Sequence, residues 1–107
     1  GFSAPNKATG TKGGVVSLTK SLAREVARYA ITVNCVSPGF VATPLVGELD
    51  DAARKDVLRQ IPLGRFADPS EAASVIVFLL GDLARFVTGT TVHVDGGLHA
   101  AGGWHRV

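Results

Sequence analysis

The sequence predicts an α/β protein in which helices alternate with two parallel strands. Residues 8–29 and 69–81 have the apolar spacing of amphipathic helices. Residues 31–36 and 90–94 are short and rich in β-branched side chains, as strands are. A strand, a crossover helix and a second strand form a right-handed parallel unit. We therefore expect the order helix, strand, helical segment, helix, strand.

The first helix is predicted over residues 8–29. Apolar side chains recur there at the spacing that lines one helix face, namely Val15, Leu18, Leu22, Val26 and Tyr29. Gly13 and Gly14 lie within the same segment, and each glycine costs a helix about 1 kcal/mol relative to alanine. Their presence favours close approach by a cofactor or by a partner helix.

The first strand, residues 31–36, ends at Ser37-Pro38-Gly39, a sequence typical of a strand that enters a turn. Cys35 is the single cysteine of the chain, so it has no internal disulfide partner and is expected to be a buried core residue. This cysteine usage fits a reducing cytoplasm. Asn34 is expected to make local hydrogen bonds.

Residues 45–60 mix acidic, basic and apolar side chains with weak helical periodicity, and Pro44 and Pro62 bracket them. We expect a mobile helical flap there.

The second long helix has a well-formed start. Asp68 is suited to the N-cap position, Pro69 to the first helical position, and Glu71 adds an acidic group in the first turn. The last strand, residues 90–94, ends at Asp95-Gly96-Gly97.

Composition excludes several classes of function. The chain has 107 residues, 46% of them hydrophobic, which fits one domain with a core. Its net charge is only +2 and its basic residues are scattered, which argues against nucleic-acid binding. No apolar run approaches the ~20 residues that span a bilayer. His93, His99 and His105 recur at a six-residue spacing that suits no zinc motif, so we expect no metal.

Three sequence blocks carry a family resemblance. They are Ala8-Thr9-Gly10-Thr11-Lys12, Asn34-Cys35-Val36-Ser37-Pro38-Gly39 and Val94-Asp95-Gly96-Gly97. In this order and spacing they resemble the second half of a short-chain dehydrogenase/reductase. The run Ile61-Pro62-Leu63-Gly64-Arg65-Phe66 resembles the subgroup that includes 3-oxoacyl-carrier-protein reductases. The resemblance implies one partial domain over residues 1–107, the C-terminal half of a Rossmann-type doubly wound parallel sheet.

The resemblance implies an oxidoreductase that moves hydride between NAD or NADP and a small-molecule carbonyl or alcohol substrate. In this family a tyrosine, the general acid/base, stands four residues before a lysine, one helix turn away, where the ammonium favours the phenolate. Lys12 keeps the lysine position, which also holds the cofactor ribose, but Ala8 stands in the place of the tyrosine. Substitution, deletion around a tyrosine and a sequence error all explain Ala8.

Tyr29 cannot replace the missing tyrosine. It is the only tyrosine of the chain and lies 17 residues beyond Lys12, which is roughly 25 Å along a helix.

The resemblance also implies a cofactor-binding turn after the first strand. This turn contains Pro38 and Gly39, and backbone groups near Val41 bind the nicotinamide carboxamide. The hydroxyl of Thr43 reaches the carboxamide or the phosphates. A turn at the carboxyl end of a strand is where ligands bind in open α/β sheets. Residues 45–60 become the substrate flap, and the whole protein is expected to be a homo-oligomer.

Several observations predict that this chain is a fragment. It begins at Gly1 and contains no methionine, and two parallel strands alone leave sheet faces and edges without partners. The glycine-rich turn, the catalytic serine and the NAD/NADP selector that the resemblance implies are absent from the sequence. We therefore expect the chain alone to be inactive.

Two alternatives stay open. The first is a non-catalytic pseudoenzyme or oligomerisation module that keeps the long helix and the final strand as association surfaces. The second is a small domain of a different fold that imitates the three blocks.

Overall fold

The computed structural model describes the backbone of residues 8–102 and the side chains of residues 13–102. Within them the helices are Ala8–Val26 (α1), Pro44–Gly47 (α2), Asp51–Gln60 (α3) and Pro69–Leu80 (α4), and the strands are Cys35–Pro38 (β1) and Thr91–Val94 (β2). Single 3-10 turns occupy Ala27–Tyr29 and Asp82–Ala84. The strands are hydrogen-bonded neighbours and run parallel, which confirms the predicted α/β class and element order.

The described residues divide into two compact units. The first contains the residues up to Cys35 together with Phe78–Val92, and the second contains Val36–Val77 together with the residues from His93 onward. Each strand contributes residues to both units. The long helix α1 belongs to the first unit, whereas the turn after β1 and the helices α2 and α3 belong to the second.

In the first unit, α1 packs through small side chains. Thr19 and Ala23 are buried, and the Thr19 hydroxyl donates to the carbonyl of Val15 at 2.7 Å. A Cβ built at Gly89 would lie 3.5 Å from the Ala23 Cβ, so a glycine faces the helix there. The predicted apolar face is wrong in part, because its larger members stay exposed: Leu18 (51%), Leu22 (39%) and Tyr29 (61%).

The strand β1 begins at Cys35, so the prediction that it begins at residue 31 was wrong. Asn34 explains the difference, because its Nδ2 donates to the Val87 carbonyl at 3.0 Å and its Oδ1 accepts from the Thr90 amide at 3.2 Å. The Asn34 side chain thus takes the place of backbone hydrogen bonds between the two strands. Regular pairing of β1 with β2 starts where the Cys35 amide donates to the Thr90 carbonyl at 2.9 Å. Asn34 has a structural role, but the prediction that its hydrogen bonds are local was wrong, because its partners lie 53 and 56 residues away in the sequence. Cys35, predicted to be buried, is only half-buried.

In the second unit, residues 45–60 form two helices, which confirms their predicted helical character. Pro44 is the first residue of α2, a position where its missing N–H costs nothing. At the start of α3, Asp50 Oδ1 accepts from the Ala53 amide at 2.7 Å. Val57 and Ile61 are buried and anchor α3.

The helix α4 begins as the sequence predicts. Asp68 Oδ2 accepts from the Ser70 amide at 3.1 Å, and Glu71 Oε1 accepts from the Asp68 amide at 2.8 Å, which together form a capping box. The apolar face predicted for it contains Ala72, Ile76, Leu79 and Leu80. This prediction is wrong in part, because Leu79 is buried but Ile76 and Leu80 are 44% and 83% exposed. Across residues 8–102 we find no helix with the length and apolarity needed to cross a membrane.

Candidate functional site

The turn after β1 is held by a single residue from the segment that precedes α4. The Ala67 amide donates to the Phe40 carbonyl at 2.9 Å, and the Ala42 amide donates to the Ala67 carbonyl at 2.8 Å. Val41 and Ala67 thereby form a parallel bridge. Backbone groups alternate in direction along an extended chain, so the N–H and C=O of Val41 point away from Ala67.

Gly39 is required by a close approach of the two strand ends. A Cβ built at Gly39 would lie 2.8 Å from the Asp95 Cβ and 3.0 Å from its Cα. The Gly39 amide donates to the Val94 carbonyl at 3.1 Å, which fixes this approach. The sequence predicts Gly39 as a cofactor-binding residue, and the structure gives it a packing role within the chain.

Thr43 lies at the N-cap position of α2, with extended backbone angles of φ −128° and ψ 168°. A threonine there ordinarily bonds an amide of the first helical turn, yet this hydroxyl makes no capping bond. Pro38, the last residue of β1, is exposed. Pro38, Gly39, Val41 and Thr43 thus lie on one continuous stretch of the second unit.

The remaining predicted site residues lie on α1. Ala8 is its first residue and Lys12 follows one turn later, in the first unit. Their side chains lie outside the described part of the chain, so the predicted roles of Lys12 in proton transfer and ribose binding stay predictions. No described atom lies within 4 Å of a Cβ built at Gly13 or Gly14, which leaves open space beside this end of the helix.

The turn after β2 is organised by Asp95. Its carboxylate accepts from the amides of Gly97 and His99, each at 3.0 Å. Burial by itself would raise the pKa of Asp95, but those two amides and the neighbouring imidazoles of His93 and His99 outweigh it, and the pKa is lowered. Gly96 and Gly97 have φ of +64° and +96°, values that only glycine adopts without strain. β2 ends at Val94, as the sequence predicts, and this turn follows it directly.

Sequence reasoning missed a stacked pair of imidazoles at this turn. The rings of His93 and His99 lie 3.8 Å apart between centroids and 7° from parallel. His93 Nδ1 is 4.0 Å from Asp95 Oδ2. The six-residue spacing gave no signal for this pair, because the glycine turn between the two residues brings them together. No group of three or more possible metal-ligating side chains occurs among residues 13–102.

Sequence reasoning also missed an ion pair next to Ala67. Arg65 Nη1 and Nη2 donate to the two carboxylate oxygens of Glu71 at 2.7 and 2.9 Å. The hydrogen bond from Arg65 and then that from the Asp68 amide lower the pKa of Glu71 to about 2. The same carboxylate raises the pKa of Arg65. Both partners are partly exposed, so their bidentate geometry matters more than their charge.

A cavity of about 460 Å³ lies beside this ion pair in the second unit. Its walls are mostly apolar, with Phe40 and Leu63 among them, and Arg65, Glu71 and His93 supply its polar groups. Neither Val41 nor Thr43 lines it. Phe40 and Ala67 do line it, so the cavity adjoins the turn after β1.

Comparison with known proteins gives a consistent family assignment. The family described as "Enoyl-(Acyl carrier protein) reductase" matches residues 1–99. The chain is 46% identical over 89 residues to the 3-oxoacyl-[acyl-carrier-protein] reductase FabG of Staphylococcus aureus, a match that covers 83% of this chain and 36% of that protein.

Further relatives give similar values. The FabG protein of Vibrio cholerae is 48% identical over 88 residues, which is 82% of this chain and 36% of that protein. The FabG protein of Staphylococcus epidermidis is 45% identical over 89 residues, with 83% of this chain and 36% of that protein covered. The chain thus spans about a third of the length of the curated relatives it matches.

Proposed function

Because the chain belongs to the short-chain dehydrogenase/reductase family of NAD(P)-dependent oxidoreductases, we propose that it forms the nicotinamide-binding turn and substrate flap of such an enzyme. The reaction moves hydride between NAD(P) and a carbonyl or alcohol. The names of its relatives make a 3-oxoacyl thioester of a carrier protein the first substrate to test. In our proposal the whole protein is a cytoplasmic homo-oligomer.

The orientation of Val41 is the observation that supports this proposal. Both neighbours of Val41 are bonded to Ala67, so the N–H and C=O of Val41 face the opposite side together. A carboxamide has one acceptor oxygen and one donor NH₂ group. A donor and an acceptor that face the same side therefore complement the nicotinamide carboxamide in kind.

Thr43 and Lys12 complete the proposed cofactor contacts. The hydroxyl of Thr43 is not used for capping, so it can bond the carboxamide or a phosphate of the cofactor. The family resemblance implies that Lys12 holds the ribose of the cofactor. The cofactor supplies the hydride donor or acceptor when it is bound. Proton transfer needs a further group, because the methyl side chain of Ala8 has no exchangeable proton.

We therefore assign the chain a cofactor-binding role and expect no catalysis by it alone. The test is a titration of the ¹⁵N-labelled chain with nicotinamide mononucleotide, which carries the carboxamide and ribose but no adenylate. The amides of Val41 and Ala42 should shift most, while the Gly89 amide in the first unit should stay unchanged. Thr43→Val should weaken binding about threefold to tenfold, the usual effect of one lost hydrogen bond. No shift at millimolar ligand would refute the role.

An assembly module without catalysis is the second candidate. Ala8 favours it, and so do Leu18 and Leu22, which leave apolar surface exposed on α1. Sedimentation of the chain should then reveal oligomers that Leu18→Glu disrupts. Lys20→Glu, which changes charge on the same helix at a polar position, is the matched control. A monomer that binds nicotinamide mononucleotide would exclude this candidate in favour of the first.

A further inference from the structure

The contacts around Ala67 extend beyond the turn it holds, to the first turn of α4. We infer that Glu71 is a positioning residue for the cofactor turn, acting through Arg65 and Ala67 on the backbone of Val41. This inference rests on the proposed cofactor role of Val41. It assigns a function to an ion pair whose partners, Arg65 and Glu71, lie in two separate segments singled out in the sequence.

The first step is the fixation of the segment that carries Ala67. Arg65, two residues before Ala67, is bound through both guanidinium nitrogens to the Glu71 carboxylate. The Asp68 amide, directly after Ala67, donates to the same carboxylate at 2.8 Å. The Glu71 carboxylate therefore binds the chain on both sides of Ala67. Because the pKa of Glu71 is lowered to about 2, this carboxylate stays ionised at neutral pH.

The second step is the transfer of this fixation to Val41. Ala67 contributes its N–H to Phe40 and its C=O to Ala42, so it determines the direction of the peptide groups on both sides of Val41. These bonds form an isolated bridge and not a strand. Ala67 is therefore not held opposite Val41 by a ladder of several strand pairs. A shift of Ala67 would consequently turn the N–H and C=O of Val41 away from a carboxamide.

A second ion pair in the same unit, between Arg59 and Asp56, has no link to Ala67 and serves as a comparison. Arg59 Nη2 and Asp56 Oδ1 lie 2.8 Å apart on α3, three residues from each other. Both belong to one helix, so their contact bridges no separate segments. Asp56→Asn is therefore a control that removes a partly exposed ion pair of similar length but leaves Ala67 untouched.

The experiment measures amide hydrogen exchange and nicotinamide mononucleotide affinity in the unchanged chain and in Glu71→Ala, Glu71→Gln and Asp56→Asn. Loss of a capping side chain should speed exchange at the Ala42 and Ala67 amides about threefold to tenfold in Glu71→Ala. Glu71→Gln, whose amide oxygen can still accept from Asp68, should show a smaller increase. Exchange at the Val57 amide should stay unchanged in both Glu71 variants. The dissociation constant should rise more in Glu71→Ala than in Glu71→Gln. Asp56→Asn should leave exchange at the Ala42 and Ala67 amides and the dissociation constant unchanged.

Each outcome decides a part of the inference. Unchanged exchange at Ala42 and Ala67 in Glu71→Ala would overturn the connection. Faster exchange with an unchanged dissociation constant would overturn the positioning role. Equal acceleration at Val57 would indicate general destabilisation and would also overturn it. If the unchanged chain bound no nicotinamide mononucleotide, the proposed function and the effect on affinity would both fail, while exchange would still decide the connection.

Discussion

The turn after β1 and the first turns of α1 carry the two halves of the predicted chemistry in different ways. In the turn, the groups proposed to bind the cofactor belong to the backbone, at Val41, and are held by bonds to Ala67. On α1 the chemistry that the family resemblance implies would depend on side chains at positions 8 and 12, which lie one helical turn apart. A binding site made of backbone groups tolerates most substitutions of its side chains. A site that depends on a particular side chain is lost when that one residue is replaced. This difference explains how Ala8 can coexist with an intact turn.

The comparison suggests what is retained when a family member loses its proton donor. Packing against Asp95 and the bridge to Ala67 keep the turn in place whether or not chemistry occurs. Nothing in these contacts involves position 8. Loss of the tyrosine is therefore expected to remove catalysis and to leave nicotinamide binding.

The largest expected effect comes from restoring the side chain on α1. In the natural protein that contains these 107 residues, Ala8→Tyr should raise kcat/KM about 10²- to 10⁴-fold, the usual contribution of general acid–base catalysis. The measurement is the oxidation of NADPH with a 3-oxoacyl thioester. Ala8→Phe adds the same ring without the hydroxyl and should stay at the starting rate. Equal rates for the two variants would show that position 8 is not the site of proton transfer.

A smaller effect is expected from disturbing the backbone-built turn. Gly39→Ala places a methyl group 2.8 Å from the Asp95 Cβ, and such overpacking typically lowers the free energy of unfolding by about 1–3 kcal/mol. Nicotinamide mononucleotide should also bind more weakly, because the turn must move. Chemical denaturation and titration measure the two changes.

Gly47→Ala is the matched control for that variant. Gly47 is the last residue of α2, and a Cβ built there meets nothing within 4 Å. Alanine should leave stability unchanged or raise it by up to about 1 kcal/mol through helix propensity. If Gly39→Ala were as harmless as Gly47→Ala, the close approach to Asp95 would not constrain the turn.

The parts of the fold that were predictable depend on contacts between near neighbours in the sequence. The capping box of Asp68 and Glu71 is an example, since both partners lie within one helical turn. The start of β1 was not predictable, because Asn34 reaches Val87 and Thr90 at the other end of the chain. No periodic pattern records such a contact.

The candidate site follows the same division. Residues 38–43 were predicted from a strand followed by Pro-Gly and from the family resemblance. The bridge to Ala67 and the Arg65–Glu71 ion pair were not, because they depend on how residues 61–67 fold back toward the turn. The burial of small residues on α1 was missed for a related reason, since it depends on Gly89, far away in the sequence.

The smallest expected effect is the loss of stability when acid protonates Asp95. This side chain follows β2 and packs against Gly39 in the turn after β1. The folded-state pKa of Asp95 is lowered, so its stabilisation is fully present above the ordinary aspartate pKa of about 3.9 and is lost as pH falls through the lower folded value. Below about pH 4, the amides of Gly97 and His99 should therefore exchange faster than the intrinsic pH dependence predicts.

Asp95→Asn isolates this contribution, because Glu71 loses its charge in an overlapping range of pH. The variant keeps an acceptor oxygen for one amide but has no carboxylate to protonate, so its unfolding free energy should fall less steeply with acid. Because Gly39 packs directly on Asp95, acid should also loosen the turn after β1 in the unchanged chain and less so in the variant. Identical acid profiles would mean that Asp95 fills space beside Gly39 without holding the turn through its charge.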